Sequence, residues 1–247
     1  MLTFGTIAAV LGIVLGATVV QRVVGFGDAL LAVPLLTFVV PLKSAVVIVL
    51  LIGTVTTTWL LLRFRSQVEW RTTRLLGAGT VVGLPVGVVI LSVVSAIALR
   101  LALGVVVCIA AAWIIASSRW LGRPGGPHTS RTVAMGVFSG VLSTSLATNG
   151  PPLVYELRRT GLVDDQFRAT ISAAFMISNA IGLLLLAAAG LVTIADIKLA
   201  AASLLSCVIG IGVGSLICAR IRTAHFIWAV DLLLLATGAM TIARAVL

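Results

Sequence analysis

Gln21-Arg22-Val23-Val24-Gly25-Phe26-Gly27-Asp28-Ala29-Leu30 interrupts an otherwise apolar run from Leu2 to Val40 with an arginine, a carboxylate and two glycines. A charge at the centre of a bilayer costs at least ~2.5 kcal/mol even on the mildest insertion scale, so it persists where it meets a cavity, a partner or a solute. Ser143-Thr144-Ser145-Leu146-Ala147-Thr148-Asn149-Gly150-Pro151-Pro152 breaks a later apolar run, Thr132–Leu157, in the same manner. Hydrophobic segments broken at corresponding places in two halves point to a binding site at the membrane midplane.

The rest of the chain agrees with a membrane setting. Only 10% of its 247 residues are charged and 60% are hydrophobic, where a soluble domain is nearer one quarter charged. Six runs are long enough to span: Ser44–Leu62, Leu75–Val94, Leu99–Ser117, Ala169–Ala189, Leu199–Ala219 and Phe226–Ala245. With the two broken regions this makes about eight hydrophobic segments. The alternation of an outer-membrane barrel is absent. The fold class is therefore an all-α polytopic membrane protein, multi-pass in the cytoplasmic or inner membrane. The net charge of +10 is read as the positive-inside bias of membrane loops, not as a nucleic-acid surface. Cys108, Cys207 and Cys218 lie in apolar runs with no metal spacing and read as small hydrophobes.

A Gly- and Pro-rich linker divides the chain into a first transmembrane repeat (1–117), a cytoplasmic linker (118–131) and a second repeat (132–247). Landmarks recur across it at an offset of about 124 residues. Gly25-Phe26-Gly27-Asp28 answers Thr148-Asn149-Gly150-Pro151, Lys43-Ser44 answers Arg168-Ala169, and Val68-Glu69-Trp70-Arg71 answers Thr193-Ile194-Ala195-Asp196. The small-residue runs Gly79, Gly83, Gly87 and Gly210, Gly212, Gly214 also correspond. Eight simple crossings would divide the basic residues almost evenly between the two faces. If each broken region instead enters and returns to one face, twelve fall inside: Arg63, Arg65, Arg71, Arg74, Arg119, Arg123, Arg131, Arg158, Arg159, Arg168, Arg220 and Arg222. Lys43, Arg100, Lys198 and Arg244 then lie outside, with both termini. The expected architecture is two inverted repeats, each a hairpin of broken or half-length helices followed by three spanning helices.

The breaks carry the candidate chemistry. Gly25 and Gly27 let the chain turn and let a solute approach the backbone. Gly150-Pro151-Pro152 ends one helix and starts another, although each proline removes a backbone donor. Helices starting near Asp28 and Pro151 would aim free N–H groups at one place, an anion cradle. Arg22, Gly25, Gly27, Asp28, Ser145, Thr148, Asn149, Gly150 and Pro151 are the candidate substrate-binding residues. Arg22 reads as an anion-selecting charge; a structural ion pair with Asp28, or snorkelling to the surface, is the plainer reading. Asp28 and Asp231 are the candidate proton-coupling acids. Gln21, Thr54, Ser178 and Asn179 form a second tier, since polar residues in a span commonly bond within their own helix or to a neighbour. Packing glycines and prolines in kinked helices are the bland alternative for either break alone.

No enzyme chemistry is expected. The two histidines, His128 and His225, have no metal-binding pattern, and no nucleophile–base pairing or nucleotide-binding loop is present. No cofactor or metal is expected. The partners are a small anion, the lipid bilayer, protons as candidate coupling ions, and a second copy as a candidate oligomeric partner.

Several stretches resemble one family in order along nearly the whole chain. Gly25-Phe26-Gly27-Asp28-Ala29-Leu30-Leu31-Ala32-Val33-Pro34-Leu35-Leu36 is similar to the glycine-rich stretch ending in Val-Pro-Leu-Leu of the TauE/SafE sulfite exporters, also called TSUP permeases. Val68-Glu69-Trp70-Arg71 resembles that family's Val-Asp-Trp-Arg. Asn149-Gly150-Pro151-Pro152 resembles its Gly-Gly-Pro-Pro, and Phe167-Arg168-Ala169-Thr170 its Phe-Arg-Ala-Thr. The departures, Phe26 and Asp28 in the glycine stretch and Asn149 before Gly-Pro-Pro, fall at the breaks and bear on substrate identity. The resemblance implies a secondary transporter, with export expected, of sulfite, sulfoacetate or another organosulfonate. A passive anion channel or facilitator is the alternative.

Overall fold

A computed structural model describes residues 4–24, 27–117, 128–162, 164–220 and 223–246. Among these residues the chain forms ten α-helices and no strand. They are α1 (Phe4–Val24), α2 (Asp28–Leu36), α3 (Leu42–Phe64), α4 (Trp70–Val93), α5 (Ala96–Ser117), α6 (Thr129–Leu146), α7 (Gly150–Arg159), α8 (Asp164–Ala188), α9 (Ile194–Arg220) and α10 (Thr223–Val246). The polytopic all-helical class read from the sequence is the class observed.

The six apolar runs fall within α3, α4, α5, α8, α9 and α10. Among the described residues, α1, α3, α4, α5, α8 and α9 are long and apolar enough to cross a membrane, and α10 contributes the shorter apolar stretch Leu232–Ala245. The 21 residues of α1 end where Gly25 interrupts the apolar run. The broken regions thus divide unequally, into a long helix and a short one: 21 and 9 residues, then 18 and 10. At about 1.5 Å per residue the short arms, α2 and α7, reach roughly half the hydrocarbon thickness. The expectation of half-length helices holds for the second arm of each hairpin and not for the first.

Helix starts in the second half follow those in the first at about the 124-residue offset throughout. Local chemistry at one matching pair shows why. Glu69 precedes α4, and its carboxylate accepts from the Arg71 and Thr72 backbone N–H groups. Thr193 precedes α9, and its hydroxyl accepts from the Asp196 N–H while Asp196 accepts from Thr193. Each satisfies donors that a helix start leaves orphaned.

The chain divides into two compact units, and each takes helices from both sides of the linker. Unit 1 holds Met1–Val49, Val94–Arg119 and Val192–Leu247; unit 2 holds Leu50–Val93 and Trp120–Leu191. In unit 1, α1 packs along α9, and α5 packs along α10. Gly104 and Gly238 let α5 and α10 close on each other, with Ile242 and Cys108 filling the remaining space.

In unit 2, α4 and α6 meet backbone to backbone. A methyl group at Gly79 would collide with the Val133 carbonyl, at Gly83 with the Val137 carbonyl, and at Gly87 with the Val141 carbonyl. From the other side, Gly136 abuts the Leu76 carbonyl and Gly140 the Thr80 carbonyl. Small residues one helical turn apart permit this approach, and in lipid such packing replaces the hydrophobic drive. The glycine run of α9 is sparser. Gly210 and Gly214 face Thr18 and Arg22 of α1, and Gly212 faces open space.

Candidate functional site

The first break belongs to unit 1. α1 runs to Val24, and Arg22 in its last turn suits the negative end of the helix dipole. Arg22 is exposed, and its Nε donates to Ser215 Oγ of α9 at 2.9 Å. Gly27 sits at φ 98°, ψ 2°, a left-handed conformation that penalises any side chain, and its carbonyl accepts the Leu31 N–H as α2 begins. Asp28 is the first residue of α2 and is half-buried, a carboxylate at a helix N-terminus. Gln21 is also half-buried, one residue before Arg22. Gly25 lies outside the described residues, as does the side chain of Asp231.

The second break belongs to unit 2 and has a different character. α6 closes on Ala147 at φ 52°, a left-handed residue with a side chain. The Ala147 N–H donates to the Ser143 carbonyl and the Thr148 N–H to the Leu142 carbonyl. These two bonds satisfy carbonyls at the end of α6, and a non-glycine residue in the left-handed position costs about 1 kcal/mol or more. Asn149 then leads into α7, which starts at Gly150 with no side-chain cap. Pro151 and Pro152 occupy the next two places, so only the Asn149 and Gly150 N–H groups remain as free-end donors.

Around this turn the polar side chains are buried and uncharged. Ser139, Ser143, Thr144, Ser145, Thr148, Asn149 and Ser178 all lie below a tenth exposure. Asn149 Nδ2 donates to Ser178 Oγ at 3.0 Å, and Ser178 Oγ donates to Ser143 Oγ at 2.8 Å. Ser139 Oγ donates to the Asn149 carbonyl at 3.2 Å and so holds α6 to the start of α7. Ser145 bonds back to the Val141 carbonyl within its own helix. Thr148 Oγ1 is buried and makes no hydrogen bond. An unmet buried hydroxyl costs roughly 1–3 kcal/mol, which sets Thr148 apart from its bonded neighbours.

The structure therefore brings Asn149, Ser178 and Ser143 together and places Thr148 and Gly150 beside them in sequence. Asn179 packs close to Gly53 of α3, within unit 2. Thr54 donates to its own helix at the Leu50 carbonyl, 2.7 Å away. Thr56 and Thr57 behave likewise, as threonine commonly does in an apolar helix.

Two residues that sequence reading passed over organise this hairpin. Glu156 in α7 is fully buried and forms a two-pronged ion pair with Arg131 of α6, Nε to Oε2 at 2.9 Å and a second contact at 3.2 Å. Thr132 donates to the same carboxylate at 2.6 Å. An acid inside the apolar run Thr132–Leu157 was the available signal. Ser139 is the other, and one serine among several offered none.

A family model described as Sulfite exporter TauE/SafE matches residues 8–241. No curated protein and no solved structure matches the chain.

Proposed function

The chain belongs to the TauE/SafE sulfite exporter family, a family of membrane transporters, and from that premise we propose that it exports a small sulfur-containing anion such as sulfite, sulfoacetate or another organosulfonate. The observation that carries this reading is the buried, unpartnered Thr148 hydroxyl at the entrance to α7. An oxyanion has acceptor sites to offer it and to the N–H groups of Asn149 and Gly150. Such donors at a helix start bind anions without a formal charge. Asn149, held by Ser178, shapes the second break. The same reading takes in Ser145 and Pro151, with Thr54 and Asn179 in a second tier.

In the first break, Arg22, Gly25, Gly27 and Asp28 are the residues we propose to meet the solute. The arginine selects for charge, and the glycines leave room for the solute. Transport proceeds by alternating access of two inverted repeats, 1–117 and 132–247, around a cytoplasmic linker in the cytoplasmic membrane. Asp28 or Asp231 carries the proton that drives it.

The test is flux in liposomes holding the purified chain. Sulfite, thiosulfate, sulfoacetate, sulfolactate, taurine and a simple carboxylate are compared with and without a pH gradient. Selective flux of one sulfur anion that follows the gradient is expected. Thr148→Val removes the hydroxyl at constant size and should lower that flux about tenfold, in line with the loss of one ligand hydrogen bond. Arg22→Ala should abolish it while the chain still inserts and folds. Unchanged flux in Thr148→Val would sink the assignment of the second break. Flux that runs only downhill and ignores pH would identify a facilitator.

A further inference from the structure

We propose that the end of unit 2 formed by the α3–α4 turn and the start of α8 is a docking surface for the headgroups of anionic phospholipids in the leaflet that borders it. α3, α4 and α8 are all of spanning length and composition, so the turn joining α3 to α4 lies at a membrane face. The Glu69 N–H donates to Thr170 Oγ1 at 3.0 Å, and Val68 packs with Ala169 and Ala173, which places the first turns of α8 at the same face.

Five arginines are exposed there: Arg63, Arg65, Arg71, Arg74 and Arg168. Among the described residues none of them forms an ion pair. The acids of this end are already engaged or set apart. Glu69 spends both carboxylate oxygens on the backbone of α4. Asp165 stands in the first turn of α8, where a helix start favours it. Arg71 and Arg74 stand in the first turns of α4, where the helix dipole opposes a cation. Four arginines within a dozen residues, two of them on the wrong end of a helix, form a field that an external anion relieves.

The surface is shaped for a headgroup more than for a free ion. The Arg63 guanidinium lies over the Trp59 ring at 5.7 Å and the Phe64 ring at 5.8 Å, which holds its fork in place. Trp59 and Trp70 are each about half exposed, at 51% and 47%. Indole rings at a span end sit at the headgroup level, with arginine beside them to take phosphate two-pronged. Apolar ring and cation together match a lipid phosphate with its glycerol and first acyl carbons.

The experiment follows thermal unfolding of the detergent-solubilised full chain. Dioleoylphosphatidylglycerol or dioleoylphosphatidylcholine is added at equal mole ratio. The expected result is a higher midpoint with the anionic lipid, suppressed by high salt. In the variant R63Q/R65Q/R71Q/R74Q the phosphatidylcholine midpoint should stay and the phosphatidylglycerol increment should vanish. The preference falls roughly fivefold for each arginine removed. Lys198→Gln, an exposed cation of α9, should leave the increment intact. If the quadruple variant does not fold, R71Q/R74Q should keep about half of the increment. Equal midpoints in the two lipids, an increment undiminished in the arginine variants, or the same shift from inorganic phosphate alone would each overturn the proposal.

Discussion

The α4–α6 pair of unit 2 and the α1–α9 pair of unit 1 stand at equivalent places along the two halves of the chain, yet they are built differently. In α4–α6, glycines on both helices bring backbone against backbone, and the hairpin that α6 forms with α7 is locked by Glu156, Arg131 and Thr132. In α1–α9, the glycines seen at the contact among the described residues are Gly210 and Gly214 of α9. Gly12 and Gly16 of α1, the counterparts of Gly136 and Gly140, face nothing within 4 Å. Positions 7 and 32, the counterparts of Arg131 and Glu156, are Ile7 and Ala32, so the first hairpin has no equivalent lock. The breaks differ in step. The tight pair carries a buried, neutral, hydroxyl-lined turn. The looser pair carries an exposed arginine and a half-buried carboxylate. A shared sequence plan therefore leaves room for specialisation, with one hairpin presenting fixed dipoles and the other presenting charge.

The largest expected effect comes from filling the tight pair. Gly83→Val places a side chain against the Val137 carbonyl, which is backbone and cannot move aside. A loss of about 3 kcal/mol or more is expected, seen as collapse of the monodisperse peak in size exclusion after mild heating. Full recovery of that peak would show that α4 and α6 are not in backbone contact. Next comes the lock. Glu156→Ala leaves Arg131 and Thr132 without their acceptor and should cost about 3 kcal/mol, with Glu156→Gln intermediate, measured by thermal unfolding. A Glu156→Gln midpoint equal to that of the wild type would mean the charge contributes nothing.

The cap of α4 gives a smaller effect with a pH signature. Burial pushes the Glu69 carboxyl up, but hydrogen bonds from Thr72 and Arg71 outweigh it and hold the group below the ordinary glutamate value of about 4.5. Its stabilisation is complete above that value and is lost as pH falls through the depressed folded-state value. Glu69→Gln should cost about 1 kcal/mol at neutral pH. The gap to the wild type should close on acidification; a gap that stays constant would remove the carboxylate from the cap. The smallest effect is Gly12→Ala. With open space around Gly12, the change should stay within about 0.5 kcal/mol. A severe loss there would show that the α1 glycines are covered after all.

Much of this arrangement could be read in the sequence, for definite reasons. Glycine, proline and charge inside apolar runs are conspicuous, so both breaks were found. A constant offset carries helix boundaries with it, so the correspondence of Glu69 with Thr193 was found as well, without its meaning as two helix caps. Ser178 entered through the same offset with Thr54. The structure separates that pair, since Thr54 bonds within its helix and Ser178 bonds across to Ser143 and Asn149. Contacts between distant helices stayed hidden. Gly79, Gly83 and Gly87 were visible as a run, but nothing local named Gly136 and Gly140 as the surface they meet. Arg131 and Glu156 are far apart in sequence and join only because Ala147 reverses the chain between them. The unequal arms were missed for a simpler reason: the interruption lies near the end of the first apolar run, and length alone decides which arm can cross.

The three-residue relay at the second break also has a polarity. Asn149 can donate through its amide, Ser178 passes the same sense onward, and Ser143 receives it. An aspartate at 149 has nearly the same shape but only accepts. Ser178 would have to rotate its proton back toward position 149, and Ser143 would lose its incoming bond. Changing one atom type at one position would thus reverse the orientation of dipoles on two helices, so the sign of charge tolerated at this turn is set by three side chains acting as one.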